Sequence, residues 1–419
     1  MTLECVFVCS RTIGKLRSGP LGHLLDGYCD WLLDDGFSIV TIRNHLSKVS
    51  HLNSYLGEKK VAQLPLTAED IDGFFKAYPL RARSQKPSEN RLRNIQWAIN
   101  RFVKYLCHLQ LFDSLVESPV FQPLLDSYLK WMRDCQHVAP GTLDRRSQSL
   151  KQFLKWLGPQ ATVVGMPELT PEIVEHFFLS YAQKIGRSAQ RSMQSTLRTF
   201  FRFCLQQGFI LRPLDSAVPT LRTYKLATVP RGLTDEQAQK VLNTITRSSN
   251  VGRRDYAICQ MLYTYGVRGG QIRALRLQDI DWTADRILFK ALKHGKDSLL
   301  PLTDEVGQSL LDYLQNARPP SAYLEVFLTT RAPYHPLSYS ITLSSIISRH
   351  IIAAGINCHS KGAHVFRHSF ATRMLQKGHS LKEIADVLGH RHLETTFVYT
   401  KVDFNFLKQV GLAWPGEVT

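Results

Sequence analysis

His364-Val365-Phe366-Arg367-His368, followed by Leu388-Gly389-His390 and then Val398-Tyr399-Thr400, is the stretch whose reading decides this chain. His364 and Arg367 stand three apart, so a helix carries both on one face. Gly378 fits the end of that helix, and Ser380-Leu381-Lys382-Glu383 is a capping box opening the next one. Leu381, Ile384, Ala385 and Leu388 give this second helix one buried stripe, and Gly389 stops it. His390 therefore falls at a turn, and Thr395-Thr396 opens one more helix leading to Tyr399. Two histidines, an arginine and a tyrosine delivered by helix ends suit phosphate chemistry without a metal.

Two cations upstream complete the set. Arg268 follows Leu262-Tyr263-Thr264-Tyr265-Gly266-Val267, where a helix breaks at Gly266 and resumes through Ile272, Leu275 and Leu277. Lys293 follows Ile287-Leu288-Phe289-Lys290-Ala291-Leu292, and Gly295 with Leu299-Leu300-Pro301-Leu302 makes the region a β-hairpin with Lys293 near its turn. In this order the residues resemble the tyrosine recombinase (phage integrase) family, whose set is Arg, Lys, His-x-x-Arg, His or Trp, and Tyr. The resemblance covers about residues 230 to 410 and places Arg268, Lys293, His364, Arg367, His390 and Tyr399 at the six catalytic positions. Lys296 is the rival for the lysine role. Counting back from Pro301-Leu302 favours Lys293 as the family's lysine. One departure is visible: Gln271 stands where many members carry an acid that buttresses the first arginine.

The residue types explain the chemistry that the resemblance implies. Arg268 and Arg367 can grip both non-bridging oxygens of a phosphodiester and offset charge as the phosphorane forms. Tyr399 attacks and stores the bond energy as a phosphotyrosine, so neither ATP nor water is needed. Its phenol, with a reference pKa of about 10, needs a proton acceptor or a strongly cationic site. His364 is the candidate base, His390 hydrogen-bonds a phosphate oxygen, and Lys293 is the acid for the leaving 5′-oxygen. No cofactor and no metal are expected, since no cluster of Asp and Glu accompanies these residues.

The rest of the chain is read as mainly α with a small β-sheet: two helical core-binding domains followed by a mixed α/β tyrosine-recombinase catalytic domain. Leu24-Leu25-Asp26-Gly27-Tyr28-Cys29-Asp30-Trp31 matches Leu124-Leu125-Asp126-Ser127-Tyr128-Leu129-Lys130-Trp131 one hundred positions on. Thr41 and its helix match Thr142 and its helix, and Leu66-Thr67-Ala68-Glu69 matches Leu169-Thr170-Pro171-Glu172. These ordered blocks indicate duplication. The expected division is a first helical copy at 1–115, a core-binding (SAM-like) copy at 116–215, a basic linker at 216–230 and the catalytic domain at 231–419. The first copy is additional to the family's usual plan.

Each copy ends in a long amphipathic helix. In the second, Ala189, Met193, Leu197, Phe200, Phe201, Cys204 and Leu205 are expected inside, with Arg187, Arg191, Gln194, Arg198 and Arg202 outside. In the first, Leu92, Ile95, Ile99, Phe102 and Leu106 are expected inside, with Asn94, Trp97, Arg101 and Lys104 outside. The outward groups of the second helix are nearly all arginine or amide, a composition suited to phosphates and base edges. Arg145 and Arg146 join them as candidate DNA contacts. Arg81, Arg83 and Lys86 lead into the long helix of the first copy.

Charge agrees with this reading. Lys and Arg number 52 against 35 Asp and Glu, a formal +17 over 419 residues, which favours a polyanionic partner. The eight cysteines form no C-x-x-C pair and read as reduced thiols of a cytoplasmic protein. No apolar run approaches the roughly 20 residues of a membrane helix. Leu324 to Thr329 is a candidate further strand, and Phe404, Phe406, Leu407, Val410 and Leu412 form an apolar tail that must dock. The resemblance implies double-stranded DNA with paired inverted-repeat sites as partner. It also implies a tetrameric synapse in which such a tail passes to a neighbouring protomer. Its implied activity is that of an integrase or transposase, the extra copy leaning toward a mobile element. The alternatives are a type I topoisomerase or a non-catalytic DNA-binding regulator, and the complete set of six argues against the latter.

Overall fold

The computed structural model describes residues 3–59, 64–81, 88–113, 119–221, 232–292, 296–337, 340–358, 362–390 and 392–402. Lys293, Arg83, Lys86, most of the expected linker and the apolar tail beyond Tyr399 lie outside them. Helices dominate. Ahead of the catalytic region they are α1 (Leu3–Val6), α2 (Ser10–Arg17), α3 (Leu25–Asp34), α4 (Ile39–Glu58), α5 (Ala68–Ala77), α6 (Glu89–His108), α7 (Gln122–Asp134), α8 (Pro140–Leu157), α9 (Pro171–Ala182) and α10 (Arg187–Gln206). Then come α11 (Asp235–Asn243), α12 (Asn250–Tyr265), α13 (Gly269–Ala274), α14 (Asp304–Asn316), α15 (Ser340–Ala353), α16 (His364–Gln376) and α17 (Leu381–Leu388). The strands are short: β1 (Leu66–Thr67), β2 (Phe112–Asp113), β3 (Ile280–Asp281), β4 (Arg286–Phe289) and β5 (Ser298–Pro301).

The residues form two compact units. One holds Met1–Ala62, Ser88–Tyr105 and Leu226–Thr419, the other Gln63–Pro87 and Leu106–Lys225. The same aromatic arrangement occurs once in each. In the first unit Tyr28 is buried, edge-on to Phe102 at 4.9 Å and stacked 6.1 Å from Trp31. In the second Tyr128 is buried, edge-on to Phe200 at 5.5 Å and stacked 6.4 Å from Trp131. A second ring from the long helix meets each tryptophan, Tyr105 at 5.7 Å and Phe203 at 5.4 Å. The polar partner differs: His45 takes the Tyr28 hydroxyl at 3.1 Å, whereas Arg146 reaches the Tyr128 hydroxyl at 3.4 Å.

Two details of the long helices depart from expectation. On α10, Ala189 and Leu205 are exposed while Thr196 and Phe203 are buried, because the rings around Tyr128 draw Phe203 inward. On α6, Arg101 is not on the outer face. It pairs with Asp35 and lies over the Trp31 and Phe37 rings, at 4.5 and 5.2 Å, so its charge is spent inside the helical set. Asn94, Trp97 and Lys104 are exposed as expected.

The catalytic region is built around α12. Ala257, Ile258, Cys259, Met261 and Leu262 are all fully buried, and Arg254, Asp255 and Gln260 are buried as well, so the helix is covered nearly all round and sits inside its layer. Ile272, Ile287, Phe289, Val306, Phe327, Ile347, Val365 and Phe366 complete one core with it. The helix ends in a left-handed cap at Gly266, φ +60°. Asp255 is buried and receives Arg254 at 2.8 Å, His350 at 3.0 Å and Arg349, which ties α15 to α12. The expected hairpin is present: β4 and β5 pair antiparallel with Ile287 opposite Leu300 and Phe289 opposite Ser298, and β3 adds Ile280 opposite Ile287. Leu324 to Thr329 does not form a strand. It contributes only isolated bridges, Glu325 to Arg276 and Leu328 to Pro336, since its partners are single residues rather than a paired strand. The segment after Thr396 is a 3₁₀ turn, Phe397–Val402, rather than an α-helix. Among the described residues no helix is long and apolar enough to cross a membrane.

Candidate active site

Local rules bring four chain segments to one place. The Thr234 and Ser380 capping boxes form as read, with Gln237 and Glu383 closing them. Gly266 and Gly389 both adopt the left-handed conformation that ends a helix, at φ +60° and +62°. A helix C-terminus leaves its last carbonyls without helical partners and concentrates partial negative charge there. Those carbonyls are what the two arginines find.

Arg367, on the first turn of α16, is only 4% exposed. Its Nη1 donates to the Gly266 carbonyl at 3.0 Å and its Nη2 to the Leu388 carbonyl at 2.8 Å. Arg268 reaches the same corner, its Nη1 donating to the Leu388 and Gly389 carbonyls and its Nη2 to Gly389, each at 3.4 Å. Among the described residues neither guanidinium has a carboxylate partner. Burial, and then the charge of Arg268, pushes the pKa of Arg367 down to about 10. Two cations held together by neutral carbonyls form a socket for an anion with two oxygens to offer.

Gln271 clarifies how the first arginine manages without an acid. Its side-chain oxygen accepts the Arg268 backbone N–H at 3.0 Å, and its amide donates to the Lys290 carbonyl at 3.4 Å. Gln271 thus fixes the backbone of Arg268 and fastens it to the hairpin. The guanidinium itself is fixed by the carbonyls after α17.

Tyr399 is 2% exposed and packs with Phe370, Ala371, Ile384 and Leu388. Burial raises its phenol pKa, while Arg367 and Arg268 act against that rise. His390 lies on the turn after Gly389, where its Nδ1 meets the Thr396 hydroxyl at 2.7 Å. Burial, Arg367 and Arg268 press its pKa down to about 4. His364 opens α16 at the surface, and burial of part of its ring, with Arg367 and Arg268, lowers its pKa. The expected base, His364, is not the histidine on the tyrosine. That neighbour is His368, one turn further along α16, whose Nδ1 lies 3.0 Å from the Tyr399 hydroxyl. The spacing of His364 and His368 was a signal in the sequence, since residues four apart share a helix face.

The hairpin turn abuts the socket. A Cβ placed on Gly389 would stand 3.6 Å from the Ser298 hydroxyl, 3.8 Å from the Lys296 carbonyl and 3.9 Å from Arg268 Nη1. Asp297 accepts the Ala291 N–H at 2.6 Å across that turn. Lys293 lies outside the described residues, and Lys296 is exposed.

The candidate DNA-contact residues divide. Arg145, Arg187 and Arg191 are exposed, Gln194 is half-buried, and Arg202 is exposed while holding Asp215 at 2.8 Å. Arg198 donates to the Val218 carbonyl at 2.9 Å and the Thr220 hydroxyl at 2.7 Å. Arg198 and Arg202 therefore also tie down the segment after α10, and Asp215 supplies an acid the helix itself lacks.

The phage integrase family matches residues 231–405. The protein y4rA of Sinorhizobium fredii (strain NBRC 101917 / NGR234), assigned as an integrase/recombinase, is 30% identical over 415 residues, 97% of each chain. The tyrosine recombinase XerC of Alcanivorax borkumensis (strain ATCC 700651 / DSM 11573 / NCIMB 13689 / SK2) is 30% identical over 68% of this chain and 91% of its own. Two solved structures share the fold. A lambda integrase (75-356) dimer bound to a COC′ core site has a TM-score of 0.52 at 18% identity, covering 66% of this chain and 94% of that one. XerH bound to palindromic difH substrate in a post-cleavage complex has a TM-score of 0.51 at 19% identity, covering 70% and 97%.

Proposed function

The chain belongs to the tyrosine recombinase (phage integrase) family, and from that premise we propose that it cuts and rejoins double-stranded DNA through a covalent 3′-phosphotyrosine at Tyr399, using neither metal nor ATP. The observation that carries the reading is the arginine socket. Arg367 is buried, Arg268 is beside it, no described carboxylate neutralises either, and both are aimed by carbonyls at helix ends. A phosphodiester entering there supplies the missing negative charge. As Tyr399 attacks, the charge growing on the non-bridging oxygens meets donors already in place, which lowers the barrier without reorganisation. His390 and His364 stand beside the arginines as further donors to those oxygens. Lys293, which the sequence places between the two strands of the hairpin, is assigned to protonate the leaving 5′-oxygen.

Arg145, Arg146, Arg187, Arg191, Gln194, Arg198, Arg202 and Lys104 are assigned to DNA contacts, with the second helical copy reading most of the sequence. The repeated Tyr–Trp arrangement supports two copies of one helical domain, at 1–115 and 116–215. It is consistent with this that the S. fredii relative matches 97% of the chain whereas the XerC relative matches 68%. The partner DNA carries paired inverted repeats bound by a tetramer that exchanges C-terminal tails, and the gene belongs to a mobile element. The test is a nicked duplex bearing the inverted repeat that flanks the gene, incubated with the full chain and a chelator. A protein–DNA adduct is expected from the wild type and none from Tyr399→Phe, which still binds. A wild type that needs added metal, or a phenylalanine variant that forms the adduct, overturns the reading.

A further inference from the structure

Position 368 carries a role that neither the family set of six nor the reading above assigns. His368 sits on the helix face that also carries His364, their ring centroids 6.4 Å apart. Its own ring lies 5.6 Å from that of Tyr399, and its Nδ1 is 3.0 Å from the phenol oxygen. That is hydrogen-bonding distance to the one atom that must lose a proton. His364 is a turn closer to the N-terminus of α16, at the surface, and its charged neighbours are the two phosphate-gripping arginines.

We propose that His368 is the base that takes the Tyr399 proton during strand cleavage and returns it during rejoining. This rests on the recombinase reading above and deepens it. In the resting enzyme His368 carries its proton on Nε2, and the Nδ1 lone pair accepts the phenol O–H. As the Tyr399 oxygen bonds to phosphorus, its proton passes to Nδ1. The bond from phosphorus to the 5′-oxygen breaks, its electron pair leaves on that oxygen, and the oxygen takes a proton from Lys293. Rejoining runs the same steps backwards, with the imidazolium handing its proton to the departing tyrosine oxygen.

The surroundings make the transfer conditional on DNA. Burial, then His364 and Arg367, lower the pKa of His368, while burial raises that of Tyr399. A tyrosinate–imidazolium pair is therefore disfavoured until bond formation to phosphorus drains charge from the phenol oxygen into the arginine socket. The titratable and charged groups around His368 are His364 and Arg367 on its own helix, Tyr399 from the last 3₁₀ turn, and His390 after α17. From α11 and α12, Asp235 and Tyr263 instead face Arg373, further along α16.

His368→Asn separates a base from a mere hydrogen-bond anchor, because an amide oxygen at the δ position still accepts the phenol proton but cannot take it away. The readout is the single-turnover rate of adduct formation by the full chain, from acid to mildly alkaline pH, on the nicked inverted-repeat duplex. Wild type should show a rate rising with pH along a limb centred below the ordinary histidine value of about 6.5. His368→Asn should lose that limb and fall by roughly 10²- to 10⁴-fold, the scale of a lost general base. His364→Asn should be slower yet keep the limb. A His368→Asn rate within about threefold of wild type, with the limb unchanged, overturns the proposal while leaving the recombinase reading intact. No adduct from the wild type overturns both. Should His368→Asn fail to bind the duplex, wild-type protein carrying trifluorotyrosine at 399 decides instead. A limb that stays in place, and persists in His364→Asn and His390→Asn, belongs to His368; one that moves with the more acidic phenol, or is lost with either other histidine, refutes the assignment.

Discussion

Gly266→Ala tests whether helix-end carbonyls build the arginine socket. Gly266 lies at φ +60°, where a Cβ costs roughly 1–2 kcal/mol. Here the added Cβ would also stand 2.6 Å from Phe370 Cδ1 and Cγ and 2.8 Å from its Cβ. Phe370 is 8% exposed and packed with Ile384, Leu388 and Tyr399, so it cannot withdraw without disturbing the pocket around Tyr399. Overpacking of that kind adds roughly 1–3 kcal/mol, for a total of about 2–5 kcal/mol. Gly389 is the internal control. Its φ is +62°, but its Cβ would meet nothing closer than 3.6 Å, so Gly389→Ala should cost only the backbone contribution. Urea unfolding of the two variants and the wild type measures the difference. The adduct rate of Gly266→Ala should fall by about 10- to 100-fold as the carbonyl 3.0 Å from Arg367 shifts, since a displacement near 1 Å is worth that much. Equal destabilisation by the two substitutions would refute the packing argument. An unaltered adduct rate in a destabilised Gly266→Ala would refute the role of the carbonyl.

Arg268→Lys and Arg367→Lys should each reduce adduct formation by roughly 10²- to 10³-fold, because an ammonium cannot copy the forked contact to carbonyl and phosphate; near-normal rates would show that charge alone suffices. Burial, with nearby cations, holds both His45 and His390 at about 4 in the folded chain, against about 6.5 unfolded. The unfolded chain thus binds more protons between those values, so stability is full above about pH 6.5 and falls as pH drops toward 4, by up to about 3 kcal/mol for the fully buried His45 and by less for the partly exposed His390, where solvent screens the effect; unfolding midpoints that stay flat from pH 7 to 4.5 would contradict this. Arg101→Ala should cost roughly 1–3 kcal/mol by stranding Asp35, yet leave the salt dependence of DNA binding unchanged. Lys104→Ala should do the reverse, lowering that slope by about 0.9; a changed slope in Arg101→Ala would return that residue to the DNA surface.

The parts legible in the sequence were those decided by local chemistry. Capping residues at Thr234 and Ser380, glycines at 266 and 389, and the alternation of Ile287 and Phe289 each act over a few residues, so helix ends and the hairpin could be read directly. The six candidate positions follow from their order along the chain, and their roles await the tests above. What sequence order does not encode is which groups meet across elements. Leu388 and Gly266 matter through carbonyls, which every residue has, so nothing in their identity marked them as anchors for Arg367. Arg101 looked outward on a helical wheel, but Asp35 and the Trp31 ring, more than sixty positions earlier, draw it in. His368 stood in plain view beside Arg367, and only the packing of Tyr399 against α16 singles it out.

The covalent bond itself tests the account most directly. Adduct formed by the full chain on the nicked inverted-repeat duplex would be digested with protease and nuclease, and the cross-linked peptide sequenced by mass spectrometry. A nucleotide joined through its 3′-phosphate to the Tyr399 oxygen is expected, in protein freed of divalent metal and without ATP. A nucleotide on any other residue, or attachment through a 5′-phosphate, would contradict it.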